Sequence, residues 1–341
     1  MLRQIVLLLV ASVMLVACSE QSTKFHTFQE GQQELRNINY LLLNTANSSK
    51  ASVWPFSEHY LEARHLAYQG LKNTQLNESQ QAQLNYLIIA ERYPERYFVW
   101  PVQRDVVSQA SSQGDYSAQS LASWLELVET QLITAEQSNL KLNKIELKFL
   151  HEMVKSHLGN NDESVQTALN KLDQYLTQYQ PRSKLGLVGL ANGKDWYQSK
   201  LNYFSGETKA PLNWLSEIQM SLKQQVSTDF VLPVSDSHST PLVMNYFSDN
   251  HQHNGLDWQL EFVDPRQSKR ELTLAEQYFW QVMMETDLGI HYHTWSEQQA
   301  RVNLMKRLGV EQAQAEWLIE DIVLYPGMSF IFVSKEEGTA L

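Results

Sequence analysis

Ten histidines and 38 acidic residues give this chain ample material for metal or acid–base chemistry, so their spacing decides what they can do. A helical zinc site of the His-Glu-x-x-His kind sets two imidazoles four residues apart, on one helix face and about 6 Å from each other. His151-Glu152 begins such a pattern, but the next histidine is His157. Six residues turn a helix by roughly 600°, which leaves the two rings about 120° apart. His59 and His65 share that spacing and fail in the same way. Two i, i+2 pairs remain, His251 with His253 and His291 with His293. In an extended strand each pair points to one side and could chelate a divalent ion, with Asp249, Glu261 or Asp287 as carboxylate. A turn rich in Asp, Asn and His reads equally well as a solvated loop. There is no Gly-x-Ser-x-Gly elbow and no Gly-rich phosphate loop. No cofactor is expected. The 9 Trp and 15 Tyr could line a groove for a glycan or a peptide, although aromatic residues at helical spacing are read first as core.

The only thiol, Cys18, closes a short apolar N-terminus: Met1-Leu-Arg-Gln, a stretch from Ile5 to Val16 broken only by Ser12, then Ala17-Cys18-Ser19. One positive charge, about a dozen apolar residues and a small residue before a cut form the secretory-signal pattern. A permanent membrane span needs roughly 20 apolar residues, more than this stretch has. Leu15-Val-Ala-Cys18 resembles the bacterial lipobox. That resemblance implies cleavage after residue 17, acyl chains on Cys18 as the membrane contact, and a polar tether over 18–27. Ser19 resembles the residue that sends lipoproteins to the outer membrane, so the expected location is a Gram-negative envelope, facing the periplasm. Removal of Met1–Ala17 deletes Arg3 and moves the net charge from −11 to −12. An acidic chain without a Lys/Arg cluster argues against nucleic acid as a partner.

The elements that must position any site are helical. Leu35, Ile38, Leu41 and Leu42 form one stripe; Leu121, Trp124, Val128 and Leu132 form a second. Leu142, Ile145, Phe149 and Met153 form a third, with Gly159 as the expected cap, and Val165, Leu169, Leu172 and Leu176 a fourth, stopped by Pro181. Helical periodicity returns over 272–284 and 296–308, the latter opened by a Ser296-Glu-Gln-Gln299 capping box. Between them, Leu242–Phe247 and Trp258–Val263 are short aromatic and β-branched runs separated by turn formers, which predict a β-hairpin or small sheet near 240–265. The expected architecture is one mainly α, multi-helix bundle-like domain over 28–341 with that β insertion.

Two stretches resemble a known family. Leu185-Gly-Leu-Val-Gly-Leu-Ala-Asn-Gly193-Lys194-Asp-Trp-Tyr197 is similar to the Gly-Leu…Pro-x-Gly-Lys…Tyr stretch of the bacterial domain-of-unknown-function family 885. Asp287-Leu-Gly-Ile-His291, followed by Trp295-Ser-Glu-Gln-Gln-Ala300, resembles its Asp-Thr-Gly-x-His…Gly-Trp…Ala segment. Tyr325-Pro-Gly327 sits where that family has Trp-Pro-Gly-Gln-Ala, and Asn245-Tyr-Phe247 is similar to its Tyr-Tyr element. The resemblance covers the C-terminal half and implies a helical, zinc-peptidase-like scaffold.

The catalytic signature of that family, His-Glu-x-x-Pro-Gly-His-His-x-Gln, is absent. Glu271-Leu-Thr-Leu-Ala-Glu276 resembles its lead-in, yet no histidine precedes Glu276. Where the family has Arg before the Pro-Gly turn, Gln after it and Tyr-Lys beyond, this chain has Asp321, Met328 and Phe332-Val333. These changes remove the ligands of a zinc-activated water and the donors that would steady an oxyanion. The resemblance therefore implies a non-catalytic scaffold whose remaining cleft, with Asp287, His291, Trp295, Lys194 and Tyr197 as candidate residues, binds a peptide, a glycan or an envelope protein. The alternative is a hydrolase with a rearranged metal site on the four C-terminal histidines. Asp287 and His291 read either as the relic of a ligand cleft or as structural residues, with His291 bonding its own helical turn.

Overall fold

A computed structural model describes residues 24–42, 53–93, 106–112, 116–159, 162–224, 241–247, 262, 266 and 269–333. Within them lie twelve α-helices: α1 (Phe28–Ile38), α2 (Glu58–Lys72), α3 (Glu78–Ala90), α4 (Val106–Ser112), α5 (Ala118–Gln137) and α6 (Lys144–Ser156) come first. The second half holds α7 (Glu163–Gln178), α8 (Gly193–Ser205), α9 (Pro211–Gln224), α10 (Leu274–His291), α11 (Glu297–Leu308) and α12 (Gln312–Leu324). Four 3-10 turns join them, at 40–42, 187–189, 242–246 and 328–332.

Each apolar stripe of the sequence becomes a buried helix face, and the buried side chains make one contiguous cluster. The Leu121, Trp124, Val128 and Leu132 edge of α5 packs on the Val165, Leu169, Leu172 and Leu176 edge of α7, with α6 against α7 beside it. N-terminal signals hold where a polar side chain can reach an orphan N–H. Asn143, Thr273 and Ser296 all close capping boxes, and each satisfies two donors reciprocally. α6 ends at Ser156 with His157 as its C-cap, so Gly159, the expected cap, lies in the left-handed region two residues past the observed one. At the N-terminal side, Phe25 packs on the core and Thr27 caps α1, so the last residues of the stretch read as tether belong to the packed domain.

α10 is the axis of the C-terminal half. All but one of its residues from Tyr278 to His291 are buried, and α9, α11 and α12 pack around it. The 3-10 turns at 187–189 and 328–332 close on α8 and α10 from the other side.

The β-hairpin expected near 240–265 is not formed by the residues described there. Leu242–Tyr246 is a 3-10 helix, and Phe247 makes only an isolated bridge to Lys269. The reason is tertiary. Leu242, Val243 and Tyr246 are all buried, a triplet spacing that suits a tight helix and not an alternating strand. Asp321 accepts the Leu242 N–H at 2.9 Å, and Tyr246 packs edge-on against both Trp280 and Phe332. Of the second run, only Phe262 is described, in a turn with positive φ and its ring edge-on to Phe28.

Candidate functional site

The stretches that carry the family resemblance meet around α10. Tyr197, projecting from α8, donates its hydroxyl to Asp287 Oδ1 at 2.6 Å. Asp287 Oδ2 accepts the Gly327 N–H at 2.9 Å and faces the Ser329 hydroxyl at 3.4 Å. One turn further along α10, His291 Nδ1 accepts the Leu187 N–H at 3.1 Å, which fixes the ring proton on Nε2. That proton is donated to the Ile322 carbonyl at 3.0 Å. The Leu187 N–H opens a 3-10 turn and the Ile322 C=O lies in the last turn of α12, so both are groups that a helical segment leaves unpaired. The Tyr197 and His291 rings lie nearly parallel, 5.3 Å apart.

None of these three side chains reaches solvent: Asp287 and His291 are 1% exposed and Tyr197 is 0%. The cleft expected here is a filled core. Burial raises the Asp287 carboxyl to about 7 against the lowering effect of its donors. Burial lowers His291 to about 3, and the positive charges of Arg182 and Lys200 add to the effect although the Ile322 bond opposes it. Burial and the Asp287 charge push the Tyr197 phenol well above its ordinary value. His291 is thus a neutral clamp on two other segments and not an imidazolium bonded to its own turn. It ends a helix and is no part of a strand. His293, two residues on, is exposed, so this pair does not present two nitrogens to one ion.

The other candidate residues separate. Trp295 is half-buried, its ring over Gly289 and its backbone N–H donated to the Gly289 carbonyl at 2.8 Å. Lys194 is exposed, with its ammonium 5.1 Å from the Tyr292 ring. Cys18, Asp249, His251, His253 and Glu261 lie outside the described residues. Among the described residues no group of three His, Cys, Asp or Glu side chains is placed to hold a metal, and no helix is long and apolar enough to cross a membrane. His151 bonds Asp173 at 2.7 Å, and His65 bonds Glu91 at 3.0 Å. Glu276 is tied to Arg270 and to its own capping box; the Arg270 bond lowers it to about 2. Met328 and Phe332 stand in the core, where Phe332 stacks on Trp280 at 4.4 Å.

An open concavity lies elsewhere, between α3 and α8. It encloses about 530 Å³ and is lined from α3 by Gln83, Asn85 and Tyr86 and from α8 by Ser199, Asn202 and Tyr203. Tyr86 and Tyr203 stack at 4.0 Å with an 11° angle, and the Tyr203 hydroxyl donates to Gln83 Oε1 at 2.8 Å. Sequence spacing carried a faint signal for it. Gln83 and Tyr86 are i, i+3, and Ser199, Asn202 and Tyr203 are i, i+3, i+4, so each set shares a helix face that mixes polar and aromatic groups.

No protein-family model matches the chain, and no curated protein matches it. It is similar in fold to a crystal structure of a protein described as a lipoprotein from Colwellia psychrerythraea. The TM-score is 0.56 over 89% of each chain, at 9% sequence identity. At that identity the likeness shows the fold alone, a mostly helical one.

Proposed function

We propose that this chain is a lipid-anchored bacterial envelope protein that works by binding, on the scaffold of a zinc-peptidase-like family whose chemistry it has lost. One observation carries the reading. The polar groups retained from the motif stretches, Tyr197, Asp287 and His291, commit their bonding atoms to one another and to the backbone. A carboxylate already holding two close donors, and an imidazole bonded through both nitrogens inside the core, serve to join α8, α10, α12 and the turns at 187–189 and 326–332. Two of the positions that differ from the family's polar donors are core apolar residues, Met328 and Phe332, and a third, Asp321, binds a backbone N–H.

The anchor rests on Leu15-Val-Ala-Cys18-Ser19, and the fold likeness to a protein described as a lipoprotein is in keeping with it. Acylated Cys18 holds the chain at the outer membrane, facing the periplasm, and the α3/α8 groove takes a peptide, a glycan or an envelope protein. The test has two parts. Cys18→Ser should shift the full-length protein from the membrane to the soluble fraction and abolish incorporation of a radiolabelled fatty acid. Elemental analysis of the purified full-length protein should find less than about one zinc per ten chains after dialysis. Stoichiometric zinc, with hydrolysis that a chelator stops, would overturn the binding reading and make His251, His253 and His293 the targets for mutation.

A further inference from the structure

Three helices share one end of the molecule. α1 runs antiparallel to α2: Gly31 lies against Leu71 at one end, and at the other the Tyr60 hydroxyl donates to Asn39 Oδ1 at 2.7 Å. The turn at 73–77 then reverses the chain into α3, and Glu91, just past α3, returns to His65 in the middle of α2 at 3.0 Å. The start of α1, the end of α2 and the start of α3 therefore lie together. Phe25 belongs to the same end, because its ring and the Leu71 side chain crowd one point beside Gly31.

Chain length decides what this end meets, given the reading that Cys18 is acylated. Cys18 stands seven residues before Phe25, a stretch that reaches at most about 25 Å when fully extended. A compact chain of this size is about 50 Å across. Phe25 therefore stays within half a molecular diameter of the headgroups, and the end that carries it cannot turn to the far side. The side chains there suit that position. Lys24, His26, Lys72, Asn73, Gln75 and Asn77 are exposed, and over 24–28 and 72–77 the two lysines carry the only formal charges, in a chain of net charge −11. Lysines and amides are donors that phosphate headgroups accept. We propose that the end formed by Phe25, the α2–α3 turn and the start of α3 is the membrane-facing surface, lying against the headgroups of the bilayer that holds the Cys18 acyl chains. Glu78 and Ser79, at this end of α3, also line the α3/α8 groove, so one end of the groove lies beside the bilayer.

α2 and α3 supply the rulers for a test. Glu58 and Lys72 are exposed at opposite ends of α2, about 21 Å apart along its axis, and Glu78 and Arg92 stand about as far apart along α3. Glu58→Cys, Lys72→Cys, Glu78→Cys and Arg92→Cys are each labelled with bimane in the full-length lipidated protein, whose own Cys18 sulfur is blocked by its lipid. The variants, checked for unchanged helical circular dichroism, are reconstituted into vesicles of phosphatidylethanolamine and phosphatidylglycerol that carry a nitroxide on a fraction of the headgroups. Quenching by the lipid nitroxide should be at least about two-fold stronger at 72 than at 58, and at 78 than at 92, as that separation requires. Equal quenching at the two ends, or stronger quenching at 58 and 92, overturns the proposal and leaves the anchor standing. A label at 72 shielded from both the lipid nitroxide and aqueous iodide would put a protein partner where the bilayer is proposed, and overturns it as well. Protein that fails to float with the vesicles, and whose Cys18 carries no acyl chain by mass spectrometry, removes the anchor reading and this proposal with it.

Discussion

Tyr197 and Asp287 bridge α8 and α10 through a 2.6 Å bond in which a buried phenol donates to a buried carboxyl. Four residues along α10, His291 holds two further segments by their backbones. The two titratable groups are displaced in opposite senses by the same cause, burial: Asp287 up to about 7 and His291 down to about 3. Each prefers its neutral form in the fold.

The consequence is a pair of opposed pH dependences. Asp287 has a folded value above its unfolded one, so its contribution to stability is complete below about pH 4 and is lost as pH rises through 7. His291 has a folded value below its unfolded one, so its contribution is complete above about 6.5 and is lost as pH falls toward 3. Between about pH 4 and 6.5 the two slopes cancel. Asp287→Asn should uncover the histidine, giving stability that rises with pH at up to about 1.4 kcal/mol per unit. His291→Gln should uncover the carboxyl, giving stability that falls across the same interval. Urea denaturation from pH 4 to 8 decides it, and parallel profiles for the two variants would refute the assignment.

Tyr197→Phe tests the bond with little change in volume. Asp287 keeps the Gly327 N–H and the Ser329 hydroxyl but loses its shortest donor. The cost expected is about 1–3 kcal/mol, the range for leaving a buried polar partner unmet. It should grow above pH 7, where the carboxyl is ionised and needs the donor most. A loss below about 0.5 kcal/mol at pH 8 would show that the phenol only fills space.

The helices were legible because their cause is local. The Leu121, Trp124, Val128 and Leu132 spacing of α5 and the Ser296–Gln299 box of α11 can be read without knowing what they pack against. Leu242–Phe247 was not, because its composition suits a strand while its conformation is set by Asp321, Trp280 and Phe332, which lie far along the chain. The site divides in the same way. Asp287, His291 and Tyr197 could be singled out as residue types, but their burial follows from two turns, at 187–189 and 326–332, closing over α8 and α10, which no periodicity announces. The α3/α8 groove was missed because Tyr86 and Tyr203 are each unremarkable until the helices pair them. Glu285 was missed as well, since a carboxylate in an apolar run is only explained by a partner on another helix.

That partner is Arg307. Glu285 is 2% exposed in the middle of α10 and receives the guanidinium in a forked contact at 2.6 and 2.9 Å, with Gln219 and Asn303 donating at 3.2 Å each. Arg307→Ala should cost ~3 kcal/mol, since it strands a buried charge that two amides cannot neutralise. Adding Glu285→Gln should recover more than half of the loss, because the uncharged amide needs no counter-ion. If the double variant is no more stable than Arg307→Ala alone, the penalty comes from lost packing of the arginine stem.

Gly186 sets how closely the 185–193 segment lies on α10. A Cβ placed there would overlap the Ile290 carbonyl, with the His291 Cα behind it. Both are helix backbone and cannot step aside. Gly186→Ala should therefore lift the segment, part the Leu187 N–H from His291 and cost more than ~3 kcal/mol, as a clash with no soft neighbour to absorb it. Gly309 is the control: it has a φ of +67° with open space around it, so Gly309→Ala costs only the left-handed strain of about 1 kcal/mol. The His291 imidazole reports the difference directly. In Gly186→Ala its Nδ1 loses the donor and the ring 15N shifts move, whereas in Gly309→Ala they stay. Equal stability of the two variants, with unmoved ring shifts in both, would mean that the segment does not sit against α10 as closely as the clamp on His291 requires.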